Sequence, residues 1–175
     1  MLLPNFEDFE KTFENGKNQL VYKRLPADLD TAVSLMIKLT KNKKNSFLLE
    51  SVTGGEIKGR YSVIGMDPDL VWECFGKTSR VKTKLNKKFS VFRECNTEPL
   101  LALREILAET KIEIPDSLPQ MAAGLFGFLG YDMIRLVENL PNVNPDILKL
   151  PDAVMIRPQI IIIPPRSRVL FPYIK

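Results

Sequence analysis

Along residues 4–14, Phe6, Phe9 and Phe13 alternate with acids at spacings of three and four, which predicts a short amphipathic helix stopped by Asn15-Gly16. "QLVYKRL" follows as a strand of β-branched and aromatic residues. "DTAVSLMIKLTKN" opens on an Asp30 or Thr31 cap and sets Val33, Met36, Ile37 and Thr40 on one helical face. The apolar run Phe47-Leu48-Leu49 then predicts a core strand, and it ends in an acid and an alcohol, Glu50 and Ser51.

From Arg60 to Glu94 the pattern is an antiparallel meander. "RYSVIG", "LVWECF", "SRVKTK" and "KFSVFRE" are separated by the turn-like "MDPD", "GKT" and "LNK". Thr97-Glu98-Pro99 opens a helix over "PLLALREILAET", with Leu100, Leu103 and Leu107 as its stripe and Leu101 and Ile106 widening it. Beyond "PDSLP", Gly124, Gly127 and Gly130 interleave with large apolar residues, and a helix is predicted from Tyr131 to Leu140 with Asp132 as its cap. "AVMIRPQIIIIPP" and "RVLFPYIK" read as strands, and the isoleucine run suits a strand covered on both faces. The sum is α+β: a largely antiparallel sheet or sandwich with a few packed helices.

Composition narrows the function. A chain of 175 residues fits one domain with a sizeable core, and 45% hydrophobic with 26% charged residues reads as soluble and globular. The chain contains no histidine, which rules out a histidine base, a Ser-His-Asp triad and any histidine-ligated metal within it. The two cysteines, Cys74 and Cys95, fall in separate predicted strands and read as reduced, half-buried thiols. The N-terminus is too acidic for a signal peptide. No apolar stretch approaches the ~20 residues of a membrane helix, so the cytoplasm is the expected location and no membrane partner is expected.

The formal charge is +4, with lysines clustered at Lys41, Lys43 and Lys44 and at Lys82, Lys84, Lys87 and Lys88. Neither cluster is interleaved with exposed-looking aromatics, so nucleic acid is not an expected partner. The glycine triple matches neither G-x-G-x-x-G nor a P-loop, and its apolar neighbours favour a strand whose glycines admit a close backbone or side chain. Trp72 reads as core. The scattered acids form no general acid/base couple, and no catalytic residue is expected.

Glu50 and Ser51 admit two readings. A strand that simply ends in water explains them. So does a pocket mouth, because a half-buried carboxylate is costly unless a cation meets it. The ammonium of a free amino acid would suit Glu50, with Ser51 adding a hydroxyl and Lys58 or Arg60 neutralising the ligand carboxylate. An amino-acid-binding module with no chemistry of its own fits the same residues.

Three ordered segments carry a resemblance. "FLLESVTGGEIKGRYSVIGMDP" is similar to the L-L-E-S, G-R-Y-S-x-I-G and D-P signature of anthranilate synthase component I. "GLFGFLGYDMIRLVENLP" resembles that family's glycine-rich Y-D-x-[VIL]-R-x-x-E-x-L-P segment, and "PDAVMIRPQIIII" its P-D-x-x-[FL] stretch before a hydrophobic strand. Aminodeoxychorismate synthase component I shares this architecture and stays open as the alternative.

The resemblance implies the N-terminal domain, over residues 1–175, of an enzyme that turns chorismate into anthranilate for tryptophan synthesis. It implies Mg²⁺ in the full-length enzyme, ammonia from a glutamine amidotransferase subunit, and feedback inhibition by L-tryptophan bound beside the L-L-E-S strand. Glu50, Ser51, Lys58 and Arg60 would be the tryptophan-site residues. In that family chorismate and Mg²⁺ are held by a C-terminal module. Its absence from these residues, and the unusual tail "PPRSRVLFPYIK", imply a fold incomplete relative to the family's and no synthase activity from this chain alone.

Overall fold

A computed structural model describes residues 1–41, 43–50, 61–85, 88–141, 145–164 and 169–174. The chain forms two compact units, the first from Met1–Pro68, Lys111–Gly124 and Pro158–Lys175, the second from Asp69–Thr110 and Leu125–Arg157. The fold is α+β, and among the described residues every strand pair is antiparallel.

In the first unit, α1 spans Phe6–Glu14, with the Asn5 side chain accepting from the Asp8 N–H at 2.9 Å as N-cap. Strand β1 covers Leu20–Leu25. Helix α2 covers Ala32–Thr40. Of the two caps open to it Thr31 is used, in a reciprocal capping box with Ser34. Strand β2, Phe47–Glu50, pairs with the start of β3, Ser62–Phe75, from Phe47↔Gly65 to Glu50↔Ser62. Strand β1 also pairs with the C-terminal strand, Val169–Ile174.

The core of this unit is Leu35, Ile64, Met66 and Ile162, with Met36, Leu39 and Leu48 packed on it. The face of α2 matches the predicted one in part: Met36 packs on the core and Thr40 is buried, but Val33 and Ile37 are 49% and 69% exposed. Apolar residues surround α2, so two stripes overlap on it. Packing selects the one through Leu35, Met36 and Leu39.

The second unit holds the rest of β3, which turns at Gly76-Lys77 into β4, Thr78–Leu85, with Trp72 opposite Val81 and Cys74 opposite Ser79. Gly76 has φ +54, the left-handed conformation that a tight hairpin turn asks of glycine. The expected turn at "MDPD" is absent. Strand β3 runs on through it, with Asp67 at φ 52, a conformation that Asp tolerates better than most residues. The expected strand "KFSVFRE" is two short pieces, β5 (Lys88–Phe89) and β6 (Arg93–Glu94), both paired with β4.

Helix α3, Pro99–Glu109, buries Pro99, Ala102 and Ile106, while Leu101 and Leu107 of the predicted stripe are about half exposed. Strand β7, Phe126–Leu129, pairs with β8, Ala153–Ile162. Trp72, fully buried, centres a core with Leu70, Cys74, Val81, Ile106, Met133 and Ala153. Toward the end of β8, in the first unit, the consecutive Ile161, Ile162 and Ile163 are at most 1% exposed, so both faces of the strand are covered as predicted. The C-terminal strand Val169–Ile174 is β9.

Candidate functional site

Strand β2 presents the predicted acid. Leu48 faces the core and Phe47 lies over Gly65, where an added Cβ would come within about 2.3 Å of the phenyl ring. Leu49 is half exposed, and Glu50, opposite Ser62, is exposed at the strand end. Among the described residues no hydrogen bond or ion pair reaches its carboxylate. The other residues of the predicted pocket, Ser51, Lys58 and Arg60, lie outside the described residues.

Two of the three glycines, Gly127 and Gly130, serve packing, as their apolar neighbours implied. At Gly127 a Cβ would sit 1.8 Å from the Val154 carbonyl oxygen, so β7 approaches β8 there only because the residue has no side chain. Gly130 meets the Asp152 carbonyl in the same way and donates its N–H to it at 2.7 Å. Asp152 also accepts the Gly76 N–H on its carboxylate at 2.6 Å and donates its own N–H to Cys74 O at 2.8 Å. This residue thereby joins the β3–β4 turn to the end of β7. Gly124 differs: its surroundings are open, and its φ of +137 is the constraint.

The helix predicted over Tyr131–Leu140 is a short 3-10 helix, Tyr131–Leu136, and Asp132 does not cap it. Asp132 instead accepts from Arg135 Nε at 2.6 Å, a three-residue spacing that suits three residues per turn. Arg135 also donates to the carbonyls of Leu140 and Pro141 at 3.0 and 3.3 Å. An open cleft of about 1380 Å³ adjoins this segment, lined by Lys77, Tyr131, Arg135, Ile147 and Leu148 among others. Its arginine is already occupied by these three acceptors.

Cys74 is buried and Cys95 partly so, both as free thiols. Burial first, and the nearby Asp152 charge second, push the Cys74 thiol up to about 11. It is an inert core thiol rather than a nucleophile. Among the described residues no three His, Cys, Asp or Glu side chains gather to hold a metal ion. No helix of the described residues is long and apolar enough to cross a membrane.

One arrangement escaped the sequence reading. The Lys82 cluster does meet aromatics: its ammonium lies 5.1 and 4.3 Å from the Phe89 and Phe92 ring centroids, and Arg80 sits 4.8 and 4.4 Å from Phe75 and Phe92. The usable signal was the period-two spacing of Arg80 and Lys82 on a strand; the return of Phe89 and Phe92 beside them depends on how β4 is followed. The arrangement does not form an anion site, because Arg80 donates twice to Glu73, at 2.8 and 2.6 Å, and Glu94 stands opposite it on β6.

No protein-family model matches the chain. Curated relatives do. Anthranilate synthase component 1 of Cereibacter sphaeroides is 55% identical over 159 residues, covering 91% of this chain and 32% of the relative. The proteins of the same name from Acetivibrio thermocellus and Acinetobacter calcoaceticus are 39% and 32% identical, over 73% and 92% of this chain and 25% and 33% of their own lengths. A crystal structure of anthranilate synthase component I from Streptococcus pneumoniae TIGR4 matches with a TM-score of 0.44 at 21% identity, covering 81% of this chain and 28% of that one. The chain is thus similar to anthranilate synthase component 1 and spans between a quarter and a third of the length of these relatives.

Proposed function

We propose that the chain is the N-terminal regulatory and amidotransferase-docking part of an anthranilate synthase component I. The longer protein would convert chorismate and ammonia or glutamine to anthranilate and pyruvate in the cytoplasm. The observation that carries this is the 55% identity over 91% of the chain, reached while spanning only 32% of the relative.

The regulatory role rests on the likeness to the relatives, with Glu50 as its candidate ammonium contact. This residue ends a strand whose preceding residues reach the core, and its exposed carboxylate has no partner among the described residues. An ammonium about 4 Å away would gain roughly 1–4 kcal/mol between water and a protein surface. L-tryptophan supplies that ammonium, Ser51 a hydroxyl, and Lys58 or Arg60 the cation for the ligand carboxylate. Mg²⁺ belongs to the longer enzyme. The described residues offer it no ligand set, and no step of chorismate chemistry is assigned to this chain.

Calorimetry with L-tryptophan tests the regulatory role. Binding by the chain, lost in Glu50→Ala with folding unchanged, is the expected result, and equal binding by wild type and variant overturns the site. Chorismate, ammonium and Mg²⁺ added to the chain alone should yield no anthranilate fluorescence. The names of the relatives favour anthranilate over aminodeoxychorismate, and product identity from the longer protein separates the two.

A further inference from the structure

Two buried polar atoms of the second unit have no hydrogen-bond partner among the described residues: the indole N–H of Trp72 and the hydroxyl of Ser79. Trp72 is fully buried and Ser79 is 3% exposed. The other buried polar side chains are satisfied, Gln19 donating to Phe9 O and Thr40 to Met36 O, both at 2.8 Å. An unpaired polar group in a low-dielectric interior is costly, and native proteins pair nearly all of theirs. Two such atoms in one core require a physical account.

The register sets them beside one another. Trp72 lies opposite Val81 and Cys74 opposite Ser79 in the antiparallel β3–β4 pair. Alternate residues share a face of a sheet, so Trp72, Cys74, Ser79 and Val81 point to the same side. That side is the core, where Trp72, Cys74 and Val81 pack together. Ser79 is therefore the diagonal neighbour of Trp72, at roughly 7–8 Å between strands and within reach of an aromatic side chain. No direct bond joins the two. One small group bonded to each at about 2.9 Å joins atoms roughly 5 Å apart, a span that this diagonal can supply.

Hydrogen-bond chemistry identifies that group. The indole N–H can only donate, so the bridging atom must accept from it, while the serine oxygen can accept in turn. The surrounding side chains Leu70, Val81, Ile106 and Met133 are apolar, so a charged bridge would go uncompensated. The bridge is thus neutral, accepts at one atom and still has hydrogens to give. The remaining side chains of this face, Cys74, Ser79 and Ala153, are short, which suits a molecule of the size of water beside the large indole. The Cys74 thiol donates to Gly76 O at 3.5 Å, and its sulfur stays available as a weak acceptor for a third bond.

We infer that one internal water molecule bridges Trp72 Nε1 and Ser79 Oγ, accepting from the indole and donating to the serine oxygen, with Cys74 Sγ as its third neighbour. Trp72 is the single tryptophan of the chain, so its indole N–H gives one unambiguous nuclear magnetic resonance signal. The test is the nuclear Overhauser cross-peak from that N–H to water, recorded for the wild-type chain and for Ser79→Ala. Urea unfolding of wild type, Ser79→Ala, Trp72→Phe and the double variant accompanies it. The expected results are a water cross-peak in the wild type that Ser79→Ala abolishes, and a folding equilibrium constant that Ser79→Ala lowers about tenfold. In the Trp72→Phe background the same substitution should cost less, because the indole donor it would orphan is already gone. If Trp72→Phe does not fold, the wild-type and Ser79→Ala measurements decide alone. A wild-type indole N–H with no cross-peak to water overturns the inference. So does a cross-peak unchanged in Ser79→Ala, which would give the water to Trp72 alone. A Ser79→Ala chain as stable as wild type or more so overturns it as well, since deleting an unbridged hydroxyl costs nothing.

Discussion

Strands β2 and β7 are near twins in composition, FLLE and FGFL, each four residues long and each antiparallel to a longer strand. They use glycine in opposite ways. At β2 the glycine, Gly65, is on the partner strand, and what fills its empty face is a phenyl ring that can move. At β7 the glycine is in the strand itself, and what fills the space is the Val154 carbonyl, which cannot move without unpairing the ladder. A side chain is adaptable and a paired backbone is not. The difference sets how much change each strand can absorb.

The strongest way to break the comparison is Gly127→Ala. A Cβ lying 1.8 Å from a backbone oxygen forces β7 away from β8, and we expect a loss of about 3 kcal/mol or more in urea unfolding. Gly65→Ala sharpens the contrast: the Phe47 ring rotates aside, and the expected cost is about 1 kcal/mol in the same measurement. Equal costs for the two substitutions would remove the distinction between ring and carbonyl.

A pH-dependent signature belongs to the Asp152 junction beside β7. Cys74, next to the Asp152 that bonds Gly130, titrates at about 11 rather than the ordinary 9.0. The raised value means that the folded protein keeps its proton where the unfolded chain loses it. Stability is therefore fully present below pH 9 and falls as pH rises from 9 to 11, and Cys74→Ala should flatten that part of the unfolding profile. The smallest effect is expected at the exposed end of β2, where Glu50→Ala should shift unfolding by no more than about 0.5 kcal/mol while altering tryptophan binding.

Much of the fold was legible because it depends on short-range chemistry. Thr31, one of the two cap candidates, caps α2 through its own side chain, Gly76 turns a hairpin, and the isoleucines of β8 mark a doubly covered strand. The misses arise where a local preference has two outlets. Asp67-Pro68 reads as a turn, yet a single positive φ lets the strand continue. Asp132 reads as a cap, yet Arg135 three residues on claims its carboxylate. In α1 the periodicity is right and the burial is not: Phe6 and Phe13 form the predicted stripe, but nothing among the described residues covers it.

The candidate site divides in the same way. That Glu50 ends a strand could be seen in the sequence; that this strand buries no residue, and that the carboxylate stands exposed and unpartnered among the described residues, could not. By itself the sequence determined the α+β class, the capped start of α2, the absence of histidine chemistry and the likeness to anthranilate synthase component 1. Only the tertiary structure decided which stripe of α2 and α3 meets the core, which glycine faces a ring and which a carbonyl, and that Lys82 meets both Phe89 and Phe92. The reason is one of range. Caps and turns are settled within about four residues, whereas burial depends on contacts between segments far apart along the chain, which residue patterns leave open.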